Sequence, residues 1–443
     1  MMWRTLLAVA AIATSACAAA PEAPRPSLQD TPTHERYAAA LTEFGLDRVA
    51  LGRDWLHAAQ RALAQPRSAT MPFAETGYLA ADRPSAVAFR LDLVRGRRLA
   101  IDVQFESAEP SRLFVDLFEQ REGREPRRVG GSEPGATSFE FDVRRAGQYV
   151  LRLQPELLRG GRYTVTQRTL ASLKAPIEGF IPRQVQSGFG APRDGGARDH
   201  HGIDIFVPRG TPVLASADGV VRVDETPRGG RVVWLRDARG GRNVYYAHLH
   251  DWAVSSGAQV RIGDVLGYVG NTGNARTTPP HLHFGVYDRG PADPVPFLQR
   301  DDPVPSHATA ALDPLGTWMR VQAGSTSLRT HDATHDAGSM TPGSLTPLDR
   351  GAVVRVLAAS GSHYRVELPD GRSGLVLAAD LASAEAGQDV AAFSGDVLEA
   401  PAVDAPIVDV FREPRDLPVL GQFGEFSLIQ LPDFRLGWAV RRP

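Results

Sequence analysis

The fold of the central region is decided by His200-His201-Gly202-Ile203-Asp204-Ile205-Phe206-Val207 and its counterpart Pro279-Pro280-His281-Leu282-His283-Phe284. His200 and Asp204 are four apart, as on one face of a helix. Gly202 and the β-branched, aromatic run that follows argue instead for a turn entering a strand. In the second stretch the spacing is two, and in a strand residues i and i+2 share a face. His281 and His283 therefore face one cavity, while Leu282 points into the opposite layer. A third stretch, Tyr245-Tyr246-Ala247-His248-Leu249, also reads as a strand. Six of the twelve histidines fall between His200 and His283.

This collection of side chains suits zinc. Zinc takes imidazole nitrogen and carboxylate oxygen, and a catalytic site uses three protein ligands and one open position. Two histidines and one aspartate would leave a cationic site that lowers the pKa of bound water toward ~7. Two further histidines would then handle protons near neutral pH. No His-Glu-x-x-His helix is present, so the base is not a glutamate of that kind.

With these motifs in view, residues 177–300 resemble the lysostaphin-like zinc metallopeptidases, which cleave peptide bonds in bacterial peptidoglycan. The resemblance rests on His-x-x-x-Asp, Tyr-x-His and His-x-His in order. It extends to Ser187-Gly-Phe-Gly190, Gly210-Thr-Pro-Val213, Ala217-Asp-Gly-Val220, Gly257-Ala-Gln-Val260, Gly263-Asp-Val-Leu-Gly267 and Gly270-Asn-Thr-Gly273. It implies one Zn²⁺ held by His200, Asp204 and His283, with His281 and His248 as the catalytic pair. In that scheme His281 takes a proton from zinc-bound water, and His248 hydrogen-bonds the oxyanion or the attacking water; the two roles are interchangeable at this level. His201 competes with His200 as ligand, but His-x-x-x-Asp selects His200. Tyr246 shares strand parity with His248 and is a candidate oxyanion contact, with core packing as the alternative. His250 shares the same parity and is a further candidate for the cleft, with a loop histidine as the preferred reading. Asn271 and Thr272 are turn residues first and candidate substrate contacts second. The remaining histidines, His34 among them, are expected in solvent.

The rest of the chain reads as a mainly β, multidomain protein. With 443 residues, a formal net charge of −2 and 23% charged residues, it is an ordinary globular chain of two to four domains. The near-neutral charge gives no reason to expect nucleic acid as a partner. Forty-three glycines and 34 prolines favour many turns and short strands. Residues 1–20 have the layout of a secretory signal, with an apolar run too short for a span of ~20 residues. The single cysteine, Cys17, follows that run and is a candidate lipid anchor of lipoprotein type. Alternatively it leaves with the discarded leader. Residues 21–36 are a Pro-rich linker, and 37–66 carry apolar residues at helical spacing. Alternation at Val87, Phe89, Leu91, Leu93 and again at Leu99, Ile101, Val103, Phe105 starts a series of short strands over 70–168, expected as an accessory β-sandwich.

The C-terminal part contains a repeat. Leu368-Pro-Asp-x-Arg-x-Gly374 recurs as Leu431-Pro-Asp-x-Arg-x-Gly437, 63 residues on. The two units, 315–383 and 390–443, resemble bacterial Src-homology-type barrels. The function implied is an exported, periplasmic or cell-envelope zinc endopeptidase acting on peptidoglycan peptides. Two other readings compete: a non-catalytic activator of another wall hydrolase, and a zinc peptidase acting on Gly-rich proteins.

Overall fold

The computed structural model describes residues 33–133, 136, 138–330, 344–384 and 389–441. The expected export signal, Cys17 and most of the linker lie outside them. No helix among the described residues is long and apolar enough to cross a membrane.

The single helix expected over 37–66 is a helical hairpin, His34–Glu43 and Ala50–Ala64. Gly45 breaks it: its φ of 72° is left-handed, and the Phe44 and Gly45 N–H groups return to the Ala40 and Thr42 carbonyls. This is the usual glycine stop. Gly52 then lets the second helix approach, because a Cβ there would lie 2.1 Å from the Leu46 carbonyl oxygen. The hairpin lies on a sheet made of Val87–Leu93, Gly147–Pro155, Leu113–Gln120 and Arg127–Gly131. Leu41 and Trp55 close on Phe114, and Ala62 closes on Ala88 and Val150. His34 was expected in solvent. It is buried, stacked 4.8 Å from Trp55 and hydrogen-bonded to Gln154 at 2.7 Å. A facing sheet of Phe73–Leu79, Gly161–Ala171, Arg97–Glu106 and Ser138–Asp142 completes a sandwich around Phe89, Leu91, Leu99, Ile101, Leu117 and Leu151.

The central domain is built on strands ordered Val185–Ser187, Ile203–Phe206, His281–Tyr287, Asn243–Trp252, Gly230–Asp237, Gly219–Thr226 and Gln259–Val260. The pleat sorts its residues. Ile203, Ile205, Val233, Leu235, Val244, Leu282, Phe284 and Val286 fill the core on one face. Asp204 stands opposite His283, and Phe206 opposite His281, on the other. The sandwich is tied to this domain by polar contacts. Arg97 donates to Thr169 and to the carbonyls of Gln299 and Arg300, and buried Arg242 binds Asp237 and lies 3.5 Å from Asp142.

The C-terminal strands do not stand apart. Val353–Ser360 pairs with the sandwich strand Phe73–Leu79, Thr76 opposite Ala359 and Gly77 opposite Ala358, so one sheet runs through both. Glu75 sits at this seam, fully buried, bonded to Arg365 at 2.9 Å, Arg67 at 3.2 Å and the Tyr163 hydroxyl at 2.7 Å. Beyond it, Asp389–Leu398, Ile407–Phe423, Phe426–Gln430 and Leu436–Val440 close into a small barrel. The repeated segments fold alike: His363 pairs with Leu377 and Phe426 with Val440, both offset by 63.

Candidate metal centre and catalytic cleft

His200 ends a short hairpin, Pro192–Arg193 against Arg198–Asp199, and hands the chain to the Ile203–Phe206 strand that carries Asp204. Gly202 between them is demanded by space, since a Cβ there would lie 2.8 Å from the His283 imidazole and 2.5 Å from the Phe284 carbonyl oxygen. The result is a triangle of ligand atoms. His200 Nε2 lies 2.9 Å from His283 Nδ1 and 3.1 Å from Asp204 Oδ1, and His283 Nδ1 lies 3.0 Å from that same oxygen.

Hydrogen bonds alone do not explain the triangle. His200 Nδ1 donates to the Gly188 carbonyl at 2.8 Å, so the neutral ring has a bare lone pair on Nε2. Asp204 offers only lone pairs. At most one proton, on His283 Nδ1, is left for three close contacts. A cation at the centre satisfies all three atoms. With bonds of ~2.0–2.1 Å, tetrahedral zinc ligands lie about 3.3 Å apart, within a few tenths of the spacing found. The donor set therefore fits zinc. Burial opposes the charge on Asp204, but the hydrogen bonds and charge of His200 and His283 outweigh it and hold the carboxyl well below the ordinary carboxylate range. Arg193 holds the second oxygen at 2.7 Å and also donates to Ser187 Oγ at 2.6 Å, so the carboxylate is fixed from outside.

His248 and His281 stand beside the triangle, their rings 5.0 Å apart. Each donates from Nδ1 to a backbone carbonyl at 2.9 Å, Thr272 for His248 and Pro279 for His281. Each thus presents a bare Nε2 to the cleft. Burial first, then the like charges of His281 and His283, bring the His248 pKa down to about 4, so it is neutral at pH 7. Phe206 stacks on His281, with centroids 4.8 Å apart. The cleft has a volume of about 650 Å³.

Three candidates sit elsewhere. Tyr246 is fully buried in the core, where its hydroxyl accepts from the Ser216 N–H at 2.9 Å. The parity that linked it to His248 breaks because His248 has a φ of 64° and the pairing with Gly230–Asp237 slips there. For the same reason Leu249 is buried, and His250 points away from the cleft. Asn271 braces its own loop, donating to the Arg276 and Thr278 carbonyls at 3.3 Å. The Thr272 hydroxyl donates to the Leu249 carbonyl and accepts from the Arg231 N–H, so its part near His248 is played by its backbone. His201 lines the cleft but stays outside the triangle. The sequence reading missed Arg193, Phe206, Trp234, Tyr245 and Tyr287, all of which line the cleft. Phe206 and Tyr287 were within reach of the i, i+2 rule counted from Asp204 and His283. Arg193 carries no local signal.

Residues 198–294 match the model of peptidase family M23. The catalytic domain of lysostaphin from Staphylococcus simulans is 33% identical, and this chain covers 88% of it and 25% of itself in the match, at a TM-score of 0.23. Residues 198–294 are a peptidase family M23 domain. Curated relatives of the M23 domain include a DD-carboxypeptidase/endopeptidase Mpg of Neisseria meningitidis, 46% identical over 100 residues, 22% of each chain. The L-Ala–D-Glu endopeptidase of Bacillus subtilis is 39% identical over 118 residues, 24% of this chain and 36% of that one. Peptidoglycan DD-endopeptidase ShyC of Vibrio cholerae is 35% identical over 187 residues, 33% of this chain and 41% of that one. The matches to these three span well under half the length of each relative.

Proposed function

We propose that this protein is an exported zinc-dependent endopeptidase that hydrolyses peptide bonds in the stem or cross-link peptides of bacterial peptidoglycan. One observation carries the reading: three converging ligand atoms and two imidazoles with bare Nε2 atoms share one cleft. The wall-peptide substrate is supported by the relatives, whose names describe DD-endopeptidase and L-Ala–D-Glu endopeptidase activities. The same relatives support an envelope location.

His200, Asp204 and His283 would hold the zinc, which would supply Lewis-acid activation of water and of the scissile carbonyl. His281 accepts the proton of the attacking water on Nε2, its ring fixed by the Pro279 carbonyl and by Phe206. His248 orients that water through its own Nε2. Protonated His281 then gives its proton to the leaving amine, which breaks the C–N bond without leaving an anionic nitrogen. Arg193 keeps Asp204 in place throughout. The sandwich and the C-terminal modules would hold the M23 domain on the wall.

The test is digestion of purified sacculi by the full chain, read by mass spectrometry of released muropeptides. Release is expected, with loss on chelation and recovery with zinc. His281→Ala should lower the rate by about 10²–10⁴-fold. Unchanged cleavage by that variant would refute the catalytic role. Intact sacculi alongside cleavage of a Gly-rich protein would replace the substrate.

A further inference from the structure

The sheet face that carries the ligand triangle does not end at the cleft. Tyr245 stands opposite Trp234, and Tyr287 opposite Asn243, on the side away from the core. Their rings form one cluster: Trp234 is 4.4 Å from Tyr245 and 5.3 Å from Tyr287. All three are half-buried, the Tyr245 hydroxyl lies against Gly229, and the Tyr245 ring meets His283 edge-on at 5.7 Å. An aromatic floor therefore leads out of the metal site toward the Gly219–Thr226 strand.

Past Trp234 lies a second depression of about 460 Å³, lined by Val220, Arg222, Trp234, Arg236 and Asn243. Trp234 is a wall of both this depression and the cleft. Arg222 is in register with Trp234, and Arg236 with both Val220 and Asn243. Both arginines are exposed, and neither forms an ion pair among the described residues. The carboxylates at that end are occupied: Glu140 by Arg239, Asp142 by Arg98, Asp237 by Arg242. Asp224, on the same face, accepts from its neighbour's N–H.

We propose that this floor and its two arginines form an accessory substrate site, remote from the scissile bond, for a carboxylate-bearing peptide segment. This rests on the peptidase reading above. The rings pack on methyl and methylene groups, and the guanidinium forks take the carboxylate. A neutral sugar would leave both arginines unused. From His283 to the Arg222 strand is three strand spacings, about 14 Å, or about four extended residues. The carboxylate is thus recognised about four residues from the bond that is cut.

The experiment compares wall peptides with free carboxylates and the same peptides amidated, using the full chain and its Arg222→Ala/Arg236→Ala variant. On free-carboxylate peptides the variant should raise KM about tenfold, with the effect on KM and not kcat. Amidation should weaken the parent chain to the same degree and leave the two chains alike. Equal KM for parent and variant, or a variant that still distinguishes the two peptides, would overturn the proposal. The same peptides titrated against the His281→Ala chain read binding without turnover. If the parent chain cuts neither peptide, the peptidase reading fails while the titration still decides this one. Binding of peptide-free glycan strands that is lost in Trp234→Leu would show a sugar site and overturn it too.

Discussion

His248 shows how much one backbone angle decides. At a φ of 64° it holds a conformation that costs a non-glycine residue about 1–2 kcal/mol, and its N–H is fixed by the Gly229 carbonyl at 2.8 Å. The kink lets Ala247 and His248 both face the cleft while Tyr246 and Leu249 fill the core. Tyr246 and His248 therefore have separable jobs. Tyr246→Phe removes the acceptor for the buried Ser216 N–H and should cost about 1–3 kcal/mol of domain stability. Its kcat/KM should stay within about twofold of the parent, because no reacting group touches the hydroxyl. A large catalytic loss at full zinc content would return Tyr246 to the site. The His281–His283 pair was legible because its strand is regular. Tyr246 was misplaced because the same rule fails wherever a residue turns left-handed, and nothing in Tyr-Tyr-Ala-His announces that.

Among the elements, the helical hairpin carries a pH dependence. Burial, helped by the charge of Arg152, lowers the His34 pKa from 6.5 to about 4, while Gln154 and Asp116 act the other way. His34 is then neutral in the fold but protonated in the unfolded chain between those values. Its contribution is complete above pH 6.5 and is lost as pH falls toward 4, at up to about 1.4 kcal/mol per pH unit. Protection factors of the Ala50–Ala64 amides, corrected for the pH dependence of intrinsic exchange, should fall as the pH drops through that window. His34→Gln, which keeps a polar partner for Gln154, should flatten the dependence; an unchanged slope would assign it to other groups. The apolar spacing made a helix legible here, and the left-handed stop at Gly45 was the signal passed over. His34 looked like one more surface histidine because its partners Trp55, Phe114 and Gln154 come from distant positions.

At the scale of the whole molecule, the order of units along the chain was legible, but their joining was not. Alternation revealed strands and the 63-residue offset revealed the repeat, both local signals. The pairing of Thr76 with Ala359 leaves none. Glu75 is the joint. Burial opposes its charge, yet Arg365, Arg67 and Tyr163 outweigh it and lower its pKa. Glu75→Ala strands the buried Arg365 guanidinium and should cost about 3–5 kcal/mol. Faster amide exchange confined to Phe73–Leu79 and Val353–Ser360, with zinc content intact, is the expected signature. Exchange that does not change would mean that the backbone ladder alone holds the seam.

The shared sheet also limits how this protein can be taken apart. A chain cut after the M23 domain would strip the Phe73–Leu79 strand of its neighbour and leave a raw edge of N–H and C=O groups. Such an edge is a template for sticking to another copy. In the intact chain the Val353–Ser360 strand covers that edge. Any excised catalytic fragment intended for use by itself should begin after Ala171, which keeps Leu173 in the M23 core, and end before Val353, leaving both halves of that sheet behind.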